Sequence, residues 1–267
     1  MTTPDPSRPR KPAYPTKPVD PVDPVRPVVT FGAIRAATRS LLATAERLDD
    51  DDVRAPSLLP GWTRGHVLTH VARNADGGTR LLTWARTGVD SYEYPSMEAR
   101  AAEIEAGAGC PAAALVADVR DSAQRFADAY ALMPDEAWAR TVQWTSGARH
   151  PAARAADARL TEVLVHHVDL DADFTPRDWP AAFTSRTLDG VAASFARRDD
   201  APRLRLHATD TGRDLDTGRD LGDGSDLGGD GDVIVTGSEA SLLAWLMGRS
   251  RGDDLTGAEG VTLPFLY

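Results

Sequence analysis

Cysteine is nearly absent. The one thiol in 267 residues is Cys110, which excludes an internal disulfide framework, and no Cys-x-x-Cys or His-Glu-x-x-His motif is present to hold a metal in one short segment. Positive charge is scarce as well: 30 Lys and Arg stand against 40 Asp and Glu, a formal net charge of −10. That deficit argues against a nucleic-acid partner, because neutralising phosphates takes a concentrated field of cations. No apolar run approaches the roughly 20 residues of a membrane span, and the N-terminal stretch lacks the apolar core of a signal peptide. These absences predict a soluble cytoplasmic protein, with no membrane and no nucleic acid among its partners and with a monomer preferred. What remains is enough to fold: 42% hydrophobic residues over this length can bury two modest cores.

The chain divides by pattern. From Pro6 to Pro27 a proline falls at every third position, matching the turn of a polyproline II helix, so residues 1–27 read as a solvated, disordered tail. Residues 28–175 carry four helical patterns. The first presents Ile34, Leu41, Ala45 and Leu48 on one face and is expected to close at the Asp49–Asp52 run. The second starts after Thr63, a good N-cap, and runs to about Thr87 with Gly88 as its stop. The third opens at Pro111 and ends before Pro134, and the fourth spans roughly Arg154 to Leu170. Residues 176–267 change character, with a helix near Ala181–Arg197, strands at Arg203–His207 and Asp232–Thr236, and a helix at Ser238–Arg249. The predicted fold is therefore α+β: a four-helix bundle followed by a small α+β domain, with an Asp/Gly-rich hairpin extension at 208–231. That extension lacks the closing Glu of a calcium loop.

Two clusters carry chemistry. GWTRGHVLTHVARNADG places His66 and His70 one turn apart in a chain with six histidines, and TEVLVHHVDLD places Glu162 four residues before His166. Helical spacing puts His70 and Asn74 at the edge of the apolar face formed by Val67, Val71 and Leu81, so His70 is better placed to point inward than His66. The last bundle helix is apolar nearly all round, apart from a stripe of Glu162, His166 and Asp169. His167 sits within the apolar arc and is a rival inward residue, read here as a core histidine bonded to a backbone carbonyl. A Glu and a His at i, i+4 can grip one ion, and a histidine from a facing helix makes three nitrogen and oxygen ligands. Zinc suits that set, with one coordination position left over for catalysis. Asp169 is a candidate to orient His166.

The stretches LLPGWTRGHVLTHVARNADG, YPSMEARAAEIEAGAG, TEVLVHHVDLD and VTGSEASLLAWLMGR resemble the mycothiol-dependent maleylpyruvate isomerase family, within the DinB-like helical bundle superfamily. The likeness runs from about residue 30 onward. It implies a zinc ion held by the second histidine of the first motif and by the Glu-x3-His, which become His70, Glu162 and His166 here. It also implies a catalytic arginine at the MGR sequence, Arg249, whose fork would hold a substrate carboxylate across a cleft between bundle and C-terminal domain.

The implied partners are mycothiol, a low-molecular-weight thiol, and a small-molecule substrate. Turning a cis double bond to trans needs transient loss of its π character, which reversible thiolate addition provides. Cys110 has no histidine near it in sequence, so an external thiol is the better nucleophile. Three other readings keep parts of this scheme: a mycothiol S-transferase acting on another electrophile, a non-catalytic zinc-binding interaction protein, and hydrolysis by metal-activated water.

Overall fold

The computed structural model describes residues 26–218 and 233–264, so most of the proline-rich tail and most of the Asp/Gly-rich segment lie outside the described residues. The chain begins with helix α1 (Phe31–Ala45), capped by the Thr30 side chain, and a short helix α2 (Asp50–Arg54). The acidic run differs from expectation: Asp49 accepts from the amides of Asp51 and Asp52, and Asp52 returns to the Asp49 amide, so the run starts a helix rather than ending one. Carboxylates favour the positive end of a helix, which is why four aspartates nucleate a turn here.

Helix α3 (Arg64–Thr87) follows Thr63, whose hydroxyl caps the His66 amide while His66 Nδ1 accepts from the Thr63 amide. It ends at Gly88, which takes φ 75° and bonds back to Trp84 O. Arg64 then ties three elements together, donating to Leu170 O at 2.6 Å, Asp171 O at 2.7 Å and Asp52 O at 3.3 Å. The arginine of the GWTR motif is thus a strut for the end of the last bundle helix.

Helix α4 (Met97–Ala108) lacked a signal in the sequence because it is only weakly amphipathic, burying just Ile104 and Ala108. It lies against α3 through small residues. A Cβ on Gly65 would meet Ala108 O at 2.2 Å, and one on Gly107 would meet the Thr69 side chain at 2.5 Å. Helix α5 (Ala112–Ala131) packs its Leu115, Val119 and Phe126 face on α3, and α6 (Ala153–Asp169) packs on α1 and α3. Between them a two-stranded antiparallel ribbon, β1 (Thr141–Gln143) and β2 (Arg149–Pro151), escaped sequence reading because three residues per strand show no alternation.

The C-terminal part is α7 (Ala181–Phe195), then β3 (Leu204–Ala208), β4 (Arg213–Asp216), β5 (Val233–Gly237) and α8 (Glu239–Leu246). The sheet order is β4-β3-β5, with β3 antiparallel to β4 but parallel to β5. The two strands expected from sequence are therefore not arms of one hairpin. Residues 213–216, expected within an extension, form a paired strand, and 219–232 lie outside the described residues.

The buried core is continuous through both parts. Leu41, Leu68, Leu82, Phe126 and Leu164 fill the bundle, and Phe183, Leu188, Leu204, Val235 and Leu242 fill the C-terminal part. Trp179 joins the two, donating its indole N–H to Leu164 O at 3.0 Å. The architecture is thus helical in its N-terminal half and α+β in its C-terminal part, and no helix among the described residues is long and apolar enough to cross a membrane.

Candidate metal centre

Helices α3 and α6 bring one histidine and a Glu-His pair face to face. His70 Nε2 lies 3.0 Å from Glu162 Oε2 and 2.9 Å from His166 Nε2, and the last two atoms are 3.4 Å apart. Three ligand atoms around one tetrahedral ion with bonds near 2.0–2.1 Å sit roughly 3.3 Å from one another, so the donor set suits zinc in size and in chemistry. Among the described residues this is the one group of three or more such side chains within 4.8 Å of each other. Burial is graded: the His70 ring is 5% exposed, that of His166 13%, and the Glu162 side chain 26%, so the trio opens towards solvent at the carboxylate.

The neighbouring groups set the two imidazoles apart. Burial holds His70 near pKa 4, assisted by the charge of His166 and opposed by Glu162. Burial alone would raise Glu162, yet hydrogen bonds from His166 and His70 hold it well below the usual carboxylate range. His166 is pushed up to about 9 despite burial, because Asp169 and Glu162 both bond to it. Burial thus shifts one imidazole towards its neutral form, while the carboxylates around the other shift it towards its charged form.

Asp169 fixes the second imidazole. Its Oδ2 lies 2.8 Å from His166 Nδ1, and the carboxylate is fully buried. Arg249 closes on the same carboxylate from beyond α8, with Nε at 3.0 Å from Oδ1 and Nη2 at 2.9 Å from Oδ2, while Nη1 donates to Met247 O. Its side chain is 3% exposed. The Arg249 fork, expected to hold a substrate carboxylate, here lies on a buried carboxylate of the protein, which needs such compensation. The arginine reaches the trio through Asp169, linking the C-terminal part to His166.

The two other histidines of the motifs separate cleanly. His66 is held by the α3 cap and faces Glu105 at 3.2 Å, outside the trio. His167 is buried and stacked 3.7 Å from Phe174, but its Nε2 pairs with the Thr44 hydroxyl at 2.8 Å rather than with the expected backbone carbonyl. Cys110 is exposed. Trp62 lies against the rings of both His66 and His70, at 5.9 and 5.7 Å.

Sequence reasoning passed over a second tier beside the trio. Arg159, one turn before Glu162 on α6, is 2% exposed and donates to Val71 O and Asn74 Oδ1, both at 2.8 Å, leaving its Nη2 buried without a partner. Burial depresses its pKa to about 10. From the segment before α4 come Glu93, raised by burial and by Glu162, and Tyr94, whose buried hydroxyl also lacks a partner. Arg100 of α4 places Nη2 3.0 Å from His70 Nδ1. One signal for this tier was present in the sequence: an arginine set in the apolar α6. The others share a stretch, EYPSMEAR, with no periodicity of its own.

Comparison with known proteins agrees with this architecture. Residues 34–171 match the family described as mycothiol maleylpyruvate isomerase N-terminal domain, and residues 178–263 match the MDMPI C-terminal domain. No curated protein matches the chain. A crystal structure of the mycothiol-dependent maleylpyruvate isomerase superposes with a TM-score of 0.79 at 27% identity, over 88% of this chain and 95% of that one. A histidine-to-alanine variant of that enzyme gives the same TM-score and coverage at 26% identity. With both halves matched in order and the bundle pairing histidine and glutamate across α3 and α6, the chain belongs to the mycothiol-dependent maleylpyruvate isomerase family.

Proposed function

We propose that this chain is a cytoplasmic mycothiol-dependent maleylpyruvate isomerase, in which His70, Glu162 and His166 hold a zinc ion. The observation that carries the reading is the convergence of those three side chains from two helices, with no fourth protein ligand among the described residues. Zinc held there would supply an ionised thiol from mycothiol as the nucleophile for reversible addition to the double bond, which would leave a single bond free to rotate. The chain's own residues set the stage. Asp169 accepts from His166 Nδ1, which leaves Nε2 free to ligate, and Arg249 keeps Asp169 anionic and in place. Trp62 walls the His70 side of the centre and limits water there. Arg100 and Arg159 supply local positive charge in an acidic protein, where a dicarboxylate substrate builds enolate charge on addition.

Maleylpyruvate turnover tests the reading, measured with and without mycothiol on the zinc-loaded protein. Thiol-dependent appearance of fumarylpyruvate is expected, and its absence at every thiol concentration refutes the isomerase assignment. A second reading, transfer of the same thiol onto another electrophile, is favoured by one observation: the Arg249 fork is spent on the protein's own Asp169 and not on a substrate carboxylate. Under that reading a stable thioether accumulates and no fumarylpyruvate forms.

A further inference from the structure

We infer that the cavity between α1 and α5 is a second binding site, separate from the trio, and that it takes a small monocarboxylate with a compact apolar body. The inference does not depend on the metal reading, because none of His70, Glu162 and His166 lines this cavity.

Small side chains leave the space open. Ala123 and Ala127, one turn apart on α5, line it with a single methyl each, and Thr38 and Leu42 line it from α1. The cavity holds about 180 Å³, roughly the liquid volume of six waters and enough for one small organic acid.

Charge in the cavity is of one sign. Arg35, Arg39, Arg120 and Arg159 line it and no carboxylate does, in a chain whose net charge is −10. The first three are exposed and form its mouth. Arg120 is already bonded to Glu46 at 2.7 Å, whereas Arg39 has no hydrogen-bond or ion-pair partner among the described residues, and Arg35 has only the Phe31 ring, 5.9 Å away.

Arg159 of α6 is the buried member, 2% exposed. It makes no ion pair with the described residues. Its Nη1 is spent on Val71 O and Asn74 Oδ1, both neutral acceptors, and its Nη2 has no partner. A buried guanidinium without a counter-charge is costly, and a buried donor without an acceptor adds to that cost. One anion at the inner end of the cavity meets both deficits. The other buried lining is Ile34 and Phe126, 3% and 1% exposed, so a compact dianion such as phosphate would lose its hydration against apolar surface. A carboxylate on an apolar body suits the whole lining, with its oxygens matching the arginine fork and its body covering Ile34 and Phe126.

Benzoate is the probe, with benzamide as its uncharged isostere and inorganic phosphate as charge without an apolar body. Binding is measured by calorimetry on the full-length, zinc-loaded protein. Benzoate should bind the wild type at least about tenfold tighter than either control, the worth of a charged hydrogen bond or of the buried body. Ala127→Leu, which extends a side chain into the cavity, and Arg159→Gln should each weaken benzoate at least about tenfold, and Arg39→Gln roughly threefold. Ala127→Leu should keep its full zinc content. Should Arg159→Gln fail to fold, Ala127→Leu still decides. Benzoate binding that is absent from the wild type, unchanged in Ala127→Leu, or equalled by benzamide or phosphate overturns the inference and leaves the metal reading intact. A wild type that binds benzoate in this way but takes up no zinc refutes the metal reading alone.

Discussion

Two buried polar clusters, one in each part of the molecule, differ in how completely they are satisfied. In the C-terminal part Glu239 has a side chain 4% exposed, and its carboxylate accepts from Arg213 at 2.8 Å, from Thr211 at 3.1 Å and from Ser185. Its amide bonds Asp210 at 3.1 Å. Every group there has an answer within the fold. Between α3 and α6, by contrast, two imidazoles and a carboxylate crowd together while Arg159 Nη2 and the Tyr94 hydroxyl go unanswered. Buried polar groups are nearly always paired, so a closed cluster is structural, and an open, crowded one is arranged for something that arrives later.

The largest expected effect separates the two clusters by substitution. His70→Ala and Glu162→Ala should each lose bound metal by elemental analysis and lower isomerase turnover by more than about a hundredfold. Glu239→Ala should keep full metal content and instead lose about 1–3 kcal/mol in urea unfolding, the cost of breaking a satisfied buried group. Metal loss from Glu239→Ala would erase the distinction.

Asp169→Asn probes the bridge between the clusters' two halves of the molecule. It removes the charge that Arg249 and His166 share, so zinc affinity should fall by roughly 10–100-fold in chelator competition with the fold retained. Gly65→Ala forces a Cβ to 2.2 Å from Ala108 O, and α4 must move away. A loss of about 1–3 kcal/mol is expected in denaturant unfolding, with helix content unchanged. The smallest effect belongs to His66→Ala, which removes one arm of the α3 cap, at a cost of about 1 kcal/mol. Its metal content should match wild type, and a deficit would mean that His66 rather than His70 is the inward residue.

Legibility followed the strength of local pattern. Helix α3 was readable at both ends, because Thr63 and Gly88 are chemically committed to capping and stopping. The Glu162 and His166 pair stood out as the acidic and imidazole stripe of an apolar helix. Helix α4 was not readable, since Gly65 and Gly107 rather than an apolar stripe let it dock. The Asp49–Asp52 run was misread as a stop because carboxylates near a helix boundary serve the start of the next helix as readily as they end the last.

The sequence by itself determined which side chains share a helix face: His70 on one helix, Glu162 and His166 a turn apart on another, and Asp169 three residues further along the same stripe, because helical spacing is a local property of the backbone. Only the tertiary structure decided what stands behind each of them. Arg249 is separated from Asp169 by the whole C-terminal part and meets it through packing of α8, and Arg100 reaches His70 only because α4 lies close on α3. Contacts between elements distant in the chain depend on how helices dock, and no periodicity within either helix encodes the distance between them.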